Sequence, residues 1–234
     1  NGEFRVSQEF SPELWNPVTG EIRYLPDFKS KEGNISLPVE LEGNESAFIV
    51  FRKNNKLTET KDNFPQKVTV CKINTPWRIT FEAGKRGRET PVVWSQLKDW
   101  MNSENDSIKY FSGQAVYETT FTLEKLPQKN LYIDLGNVMV MAKVTLNGQY
   151  VGGVWTFPYR LNVTGYLKEG ENKLEITVVN NWQNRLIGDQ RLPEDQRLTW
   201  TTINPWKADS SLQSSGLLGP VEIQAFDYKI VKPE

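Results

Sequence analysis

The sequence predicts an all-β fold, an antiparallel β-sandwich preceded by a smaller β-strand segment and carrying one short helix. Three observations carry that expectation. Tyr117, Thr119, Phe121 and Leu123 alternate along one run, Leu131, Ile133 and Leu135 along a second, and Leu174, Ile176 and Val178 along a third. This is the period of strands with one buried face. Asn147 and Gly148 lie between Val144 and Val151, where a two-residue type I′ turn needs positive φ at both positions and makes a hairpin of its flanks. From Ser107 onward, strand-like runs recur at sandwich spacing without the βα alternation of a parallel sheet.

The elements follow in order. Residues 1–62 read as an accessory β segment, too short for a complete sandwich: FRVSQEF, a hairpin around WNPVTGEIRYL, then ISLPVEL and AFIVF. In ISLPVEL, Ile35, Leu37, Val39 and Leu41 share a face, and Pro38, which has no amide proton to donate, argues for an edge strand. The polar stretch NNKLTETKDNFPQ is the linker candidate, with a boundary near Asn63, so that residues 63–234 form the larger domain. After WRITF, Thr90 as cap, Pro91 in the first turn and Trp94, Leu97 and Met101 on one face predict the short helix. The segment from Leu186 to Val221 holds Pro193, Pro205 and Pro220 with Trp200 and Trp206. It reads as a long loop whose tryptophans argue for contact.

Composition narrows the chemistry. A chain of 234 residues with 38% hydrophobic content can bury a core. Its 28 Lys and Arg against 29 Asp and Glu offer no basic field for nucleic acid or anionic lipid, so neither is an expected partner. No apolar run is long enough to span a bilayer as a helix, so no membrane partner is expected either. With no histidine, triads that need imidazole are excluded. Cys71, the single cysteine, alternates with neighbours in VTVCKI as a buried thiol. The opening at Asn1 and Gly2, running straight into EFRVS, looks like a cut through a longer polypeptide.

The segments TPWRITF, QLKDWMNSENDSIKYFSGQAVYETTF, LYIDLG, VTLNGQYVGGVWTFPYRLNVT, GENKLEITVVNNWQNRLIGD and SGLLGPVEI together resemble the C-terminal region of glycoside hydrolase family 106, the α-L-rhamnosidases. Within it the chain is similar to the sugar-binding jelly roll of glycoside hydrolase family 2. The resemblance implies a galactose-binding-like jelly roll in a periplasmic or secreted enzyme whose catalytic (β/α)₈ barrel lies upstream. It implies a rhamnose-containing glycan and that upstream domain as partners. No Asp or Glu here matches a barrel motif, so no catalytic residue is carried over.

The candidate carbohydrate-binding residues are Trp155, Tyr159, Arg160, Trp182, Asn184, Arg185 and Trp200. Trp155 follows two glycines and, with Tyr159 and Arg160, makes either a stacking platform with a hydrogen-bonding arm or, with Phe157, a plug for the sandwich end. Asn180, Asn181, Trp182, Asn184, Arg185 and Asp189 either face sugar hydroxyls or tie down the following loop, with an Arg185–Asp189 ion pair. No cofactor is expected; for a calcium ion, Asp134, Asn137 and Asp189 are the candidate oxygen donors.

Overall fold

The computed structural model describes residues 1–6, 9–53, 62–228 and 230. Its first part holds six strands: β1 (Gly2–Arg5), β2 (Phe10–Trp15), β3 (Ile22–Tyr24), β4 (Lys29–Lys31), β5 (Asn34–Leu37) and β6 (Phe48–Lys53). They form two three-stranded sheets, ordered β1-β5-β4 and β3-β2-β6. Leu14, Leu25, Ile35 and Leu37 make a compact buried cluster there, edged by Phe4, Phe28 and Phe51. Alternation places Ile35 and Leu37 inward as expected, but β5 is the middle strand of its sheet. Pro38 therefore marks where pairing stops, because β5 ends at Leu37. Residues 54–61 of the linker candidate lie outside the described residues.

The larger part continues with β7 (Val68–Lys72), β8 (Trp77–Phe81), β9 (Val92–Trp94), α1 (Asp106–Lys109), β10 (Gln114–Leu123), β11 (Asn130–Asp134) and β12 (Asn137–Met139). There follow β13 (Met141–Leu146), β14 (Gln149–Val154), β15 (Arg160–Asn162), β16 (Gly170–Val179), α2 (Gln183–Asp189), β17 (Gly216–Gly219) and β18 (Glu222–Phe226). A six-stranded sheet, β14-β13-β16-β10-β8-β9, packs against a four-stranded one, β15-β11-β18-β7, and every named strand pair is antiparallel. The all-β sandwich predicted from alternation is the fold observed. Tyr117, Thr119, Phe121 and Leu123 all point into the interior from β10, facing Leu131 and Ile133 from β11. Asn147 (φ 52°) and Gly148 (φ 80°) form the positive-φ turn between β13 and β14. The side chain of Asn147 braces that turn by donating to the Tyr166 carbonyl and accepting from the Lys173 amide.

Two expectations are corrected. The helix read over residues 90–101 is instead β9, a loop and a 3₁₀ turn at Trp100–Asn102. Val92 and Val93 are β-branched and pair with β8 in the register Ile79↔Val92 and Arg78↔Val93. Trp94 and Leu97 pack against one core from a strand and a loop, but in the 3₁₀ turn it is Trp100, not Met101, that is buried, so the spacing of Trp94, Leu97 and Met101 counterfeits a helical face. The asparagine-rich stretch after β16 forms the second helix, α2, so the described residues hold two short α-helices where one was expected.

Candidate functional site

The strands β11 and β15 at one edge of the four-stranded sheet meet the β2–β3 hairpin across a cleft of about 720 Å³. On the hairpin, Glu21 and Arg23 flank the first residue of β3, and alternation sends both toward the same face. The Glu21 carboxylate accepts a hydrogen bond from the Tyr132 hydroxyl and another from Asn162 Nδ2 at 3.2 Å. The Tyr228 hydroxyl sits 3.1 Å from the same carboxylate and 2.7 Å from the Tyr132 oxygen. Burial, reinforced by the charge of Glu21, pushes both phenols far above the ordinary tyrosine range. They act as neutral hydroxyls.

Two arginines complete the walls. Arg23 lies between the rings of Phe64 and Tyr228, 4.8 Å from each centroid, and donates to the Asn63 carbonyl. Burial lowers its pKa, with Tyr228 and Glu21 opposing that shift. Arg160 reaches Glu42 at 2.7 Å and Asp134 at 3.3 Å over the Phe226 ring. Burial works against its charge, but Glu42 and Asp134 outweigh burial and hold its pKa above the ordinary value. Thr156, Phe157 and Pro158, in the β14–β15 connection, line the same cleft.

A second polar cluster surrounds α2. The Arg185 guanidinium donates to the Tyr110 carbonyl at 2.6 Å and pairs with Asp189 at 3.3 Å. The other Asp189 oxygen accepts from the Leu198 amide, the Thr199 amide and the Thr199 hydroxyl at 3.0, 2.9 and 2.7 Å. Asn184 clamps Gln213 from both sides, donating to its carbonyl at 2.7 Å and accepting from its amide at 2.8 Å. Gly188 has no room for a Cβ, which would meet the Tyr110 ring at 2.7 Å. Both ends of the segment that follows are thereby fastened to the sandwich.

The seven sequence-predicted residues thus fall in two places. Arg160 lines the cleft, and Tyr159 packs against the core beside it. Trp155, 64% exposed, stands next to Thr156 on the outer surface and plugs nothing. Asn184 and Arg185 are buried and serve as loop anchors, while Trp182 and Trp200 project into solvent around them, 62% and 83% exposed. Glu21, Arg23, Glu42, Tyr132 and Tyr228 went unread in the sequence. The signal available was the polar end of Tyr132 and the charge of Asp134 in LYIDLG, which otherwise alternates as an apolar strand.

Two of the three calcium donor candidates are engaged by other groups. Asp134 is held by Arg160 and the Gly136 amide, and Asp189 by Arg185 and three donors of the following loop. Among the described residues no group of three or more His, Cys, Asp or Glu side chains could hold a metal ion. The residues present do not fit that ion.

The two packed antiparallel sheets make this a galactose-binding-like β-sandwich, a fold class that serves many different roles. The family model described as "Glycosyl hydrolase 2 galactose-binding domain-like" matches residues 94–212, and the chain belongs to that family. A solved rhamnosidase of Novosphingobium sp. PP1Y is 35% identical, with a TM-score of 0.85, over 95% of this chain and 21% of that one. A Formosa agariphila protein that carries a provisional beta-glucuronidase name is 44% identical over 59% of this chain and 14% of its own length. The chain therefore spans a minor part of the length of its relatives, which are glycoside hydrolases bearing this domain.

Proposed function

We propose that the chain is a non-catalytic β-sandwich region of a glycoside hydrolase of the α-L-rhamnosidase type, family 106, which buttresses a catalytic barrel and contacts glycan. In this reading an accessory segment, 1–62, and a jelly roll, 63–234, act as one brace, and the enzyme is periplasmic or secreted. One observation carries it: the likeness to the rhamnosidase extends over 95% of this chain, both segments included, yet takes up 21% of that enzyme.

The test is an assay of the chain with an aryl α-L-rhamnoside, for which no turnover is expected. Turnover that a single carboxylate substitution within residues 1–234 abolishes overturns the proposal. A second reading, an autonomous carbohydrate-binding module, draws on the exposed rings of Trp155, Trp182 and Trp200. Tryptophan fluorescence titrated with rhamnose oligosaccharides decides it, and a flat response counts against it.

A further inference from the structure

We propose that the cleft at the seam of the two β units binds a neutral glycan segment and rejects uronate-bearing chains. The carbohydrate class rests on the reading above; the charge preference comes from the cleft itself. Its volume, about 720 Å³, falls within the range of small-ligand sites. Phe157, Phe226 and Tyr228 contribute ring surface, and Asn44, Ser46 and Thr156 contribute neutral hydrogen-bonding groups. Rings with amides and hydroxyls suit a sugar, which presents C–H faces and hydroxyl edges.

Charge decides which sugar. Among the described lining residues five are acidic, Glu21, Glu40, Glu42, Glu45 and Asp62. The cations are Arg23, Lys67 and Arg160. Neither guanidinium is free to meet an incoming carboxylate: Arg23 is stacked between two rings and bonded to Asn63, and Arg160 is held by Glu42 and Asp134. Among the described lining residues Lys67 is the remaining cation, and Glu40 is exposed within the cleft. A concave site with this excess carries a negative potential. Carboxylates accept hydrogen bonds and donate none, so they complement the hydroxyls of a neutral glycan and repel a uronate.

Calorimetric titration of the chain with a tetrasaccharide of α-linked L-rhamnose and with tetragalacturonate tests the inference. The neutral ligand is expected to bind, and the uronate at least tenfold more weakly, with the gap narrowing as salt is raised. Glu40→Lys, a change at an exposed position, should narrow the gap at low salt, and Thr156→Trp, which fills the cleft, should abolish neutral binding. Near-UV circular dichroism checks that each variant is folded, and if Thr156→Trp is not, Glu40→Lys decides alone. Equal or tighter uronate binding, no binding of either ligand, or neutral binding unchanged in folded Thr156→Trp overturns the inference. Absence of binding leaves the non-catalytic reading standing, because that reading falls only to turnover of the aryl rhamnoside.

Discussion

In the large sandwich Trp77, Trp100, Phe111 and Tyr117 are wholly buried, and Phe81 meets Trp100 and Phe111 at ring distances of 5.3 and 4.9 Å. Among the described residues of the first 53, the buried apolar cluster consists of four aliphatics, Leu14, Leu25, Ile35 and Leu37. The two regions also differ in what their polar groups do. Inside the sandwich, Trp100 Nε1 donates to the Tyr117 hydroxyl at 2.7 Å, and that hydroxyl accepts the Leu217 amide at 3.2 Å, so the polar atoms are satisfied within one core. At the seam, Glu21 and Glu42 reach across to Tyr132, Tyr228 and Arg160. A unit with so small a core gains too little from burial to stand alone. Its stability depends on polar contacts with its neighbour.

That contrast sets an order of expected effects. Trp100→Ala removes a fully buried ring and one of the two donors to the Tyr117 hydroxyl; urea denaturation should show a loss of about 3–5 kcal/mol. Ile35→Ala should cost about 2–5 kcal/mol where it acts. Its effect should be confined: hydrogen exchange should show lost protection in β1, β2 and β5 while β10 and β16 keep theirs. Equal loss in both regions would mean that the two cores unfold as one.

Glu21→Ala leaves the hydroxyls of Tyr132 and Tyr228 without their shared acceptor and should cost about 1–3 kcal/mol. Combined with Tyr132→Phe, the loss should be smaller than the sum of the single losses, since both remove the same bond. Strict additivity would show that the seam contributes nothing as a network. The smallest effect is expected at Trp200→Ala, within about 0.5 kcal/mol, because that ring lies almost entirely in solvent. A larger loss would reveal packing that the folded chain does not display.

What could be read from the sequence was local. The alternation of Tyr117 to Leu123 and the Asn147–Gly148 turn each report on neighbours a few residues apart, and both appear in the fold as read. Three apolar residues spaced like a helical face misled between residues 90 and 101, because Trp94 in a strand and Leu97 in a loop pack against the same core while Met101 does not join it. The seam was illegible for a different reason. Glu21 lies 111 residues from Tyr132 and 207 from Tyr228, and no periodicity links positions so far apart. For Asn184 and Arg185, residue type fitted either a sugar contact or an anchor, and only burial separates the two.

The placement of β18 has a consequence for biosynthesis. β18 is interior to its sheet, with β11 on one side and β7 on the other, and among the described residues β7 has no other strand neighbour. On the ribosome, a segment translated early must therefore wait for its strand partner until Glu222–Phe226 has left the exit tunnel. A nascent chain stalled before that point exposes two unpaired sheet edges at once, the situation that invites association between chains and recruits chaperones.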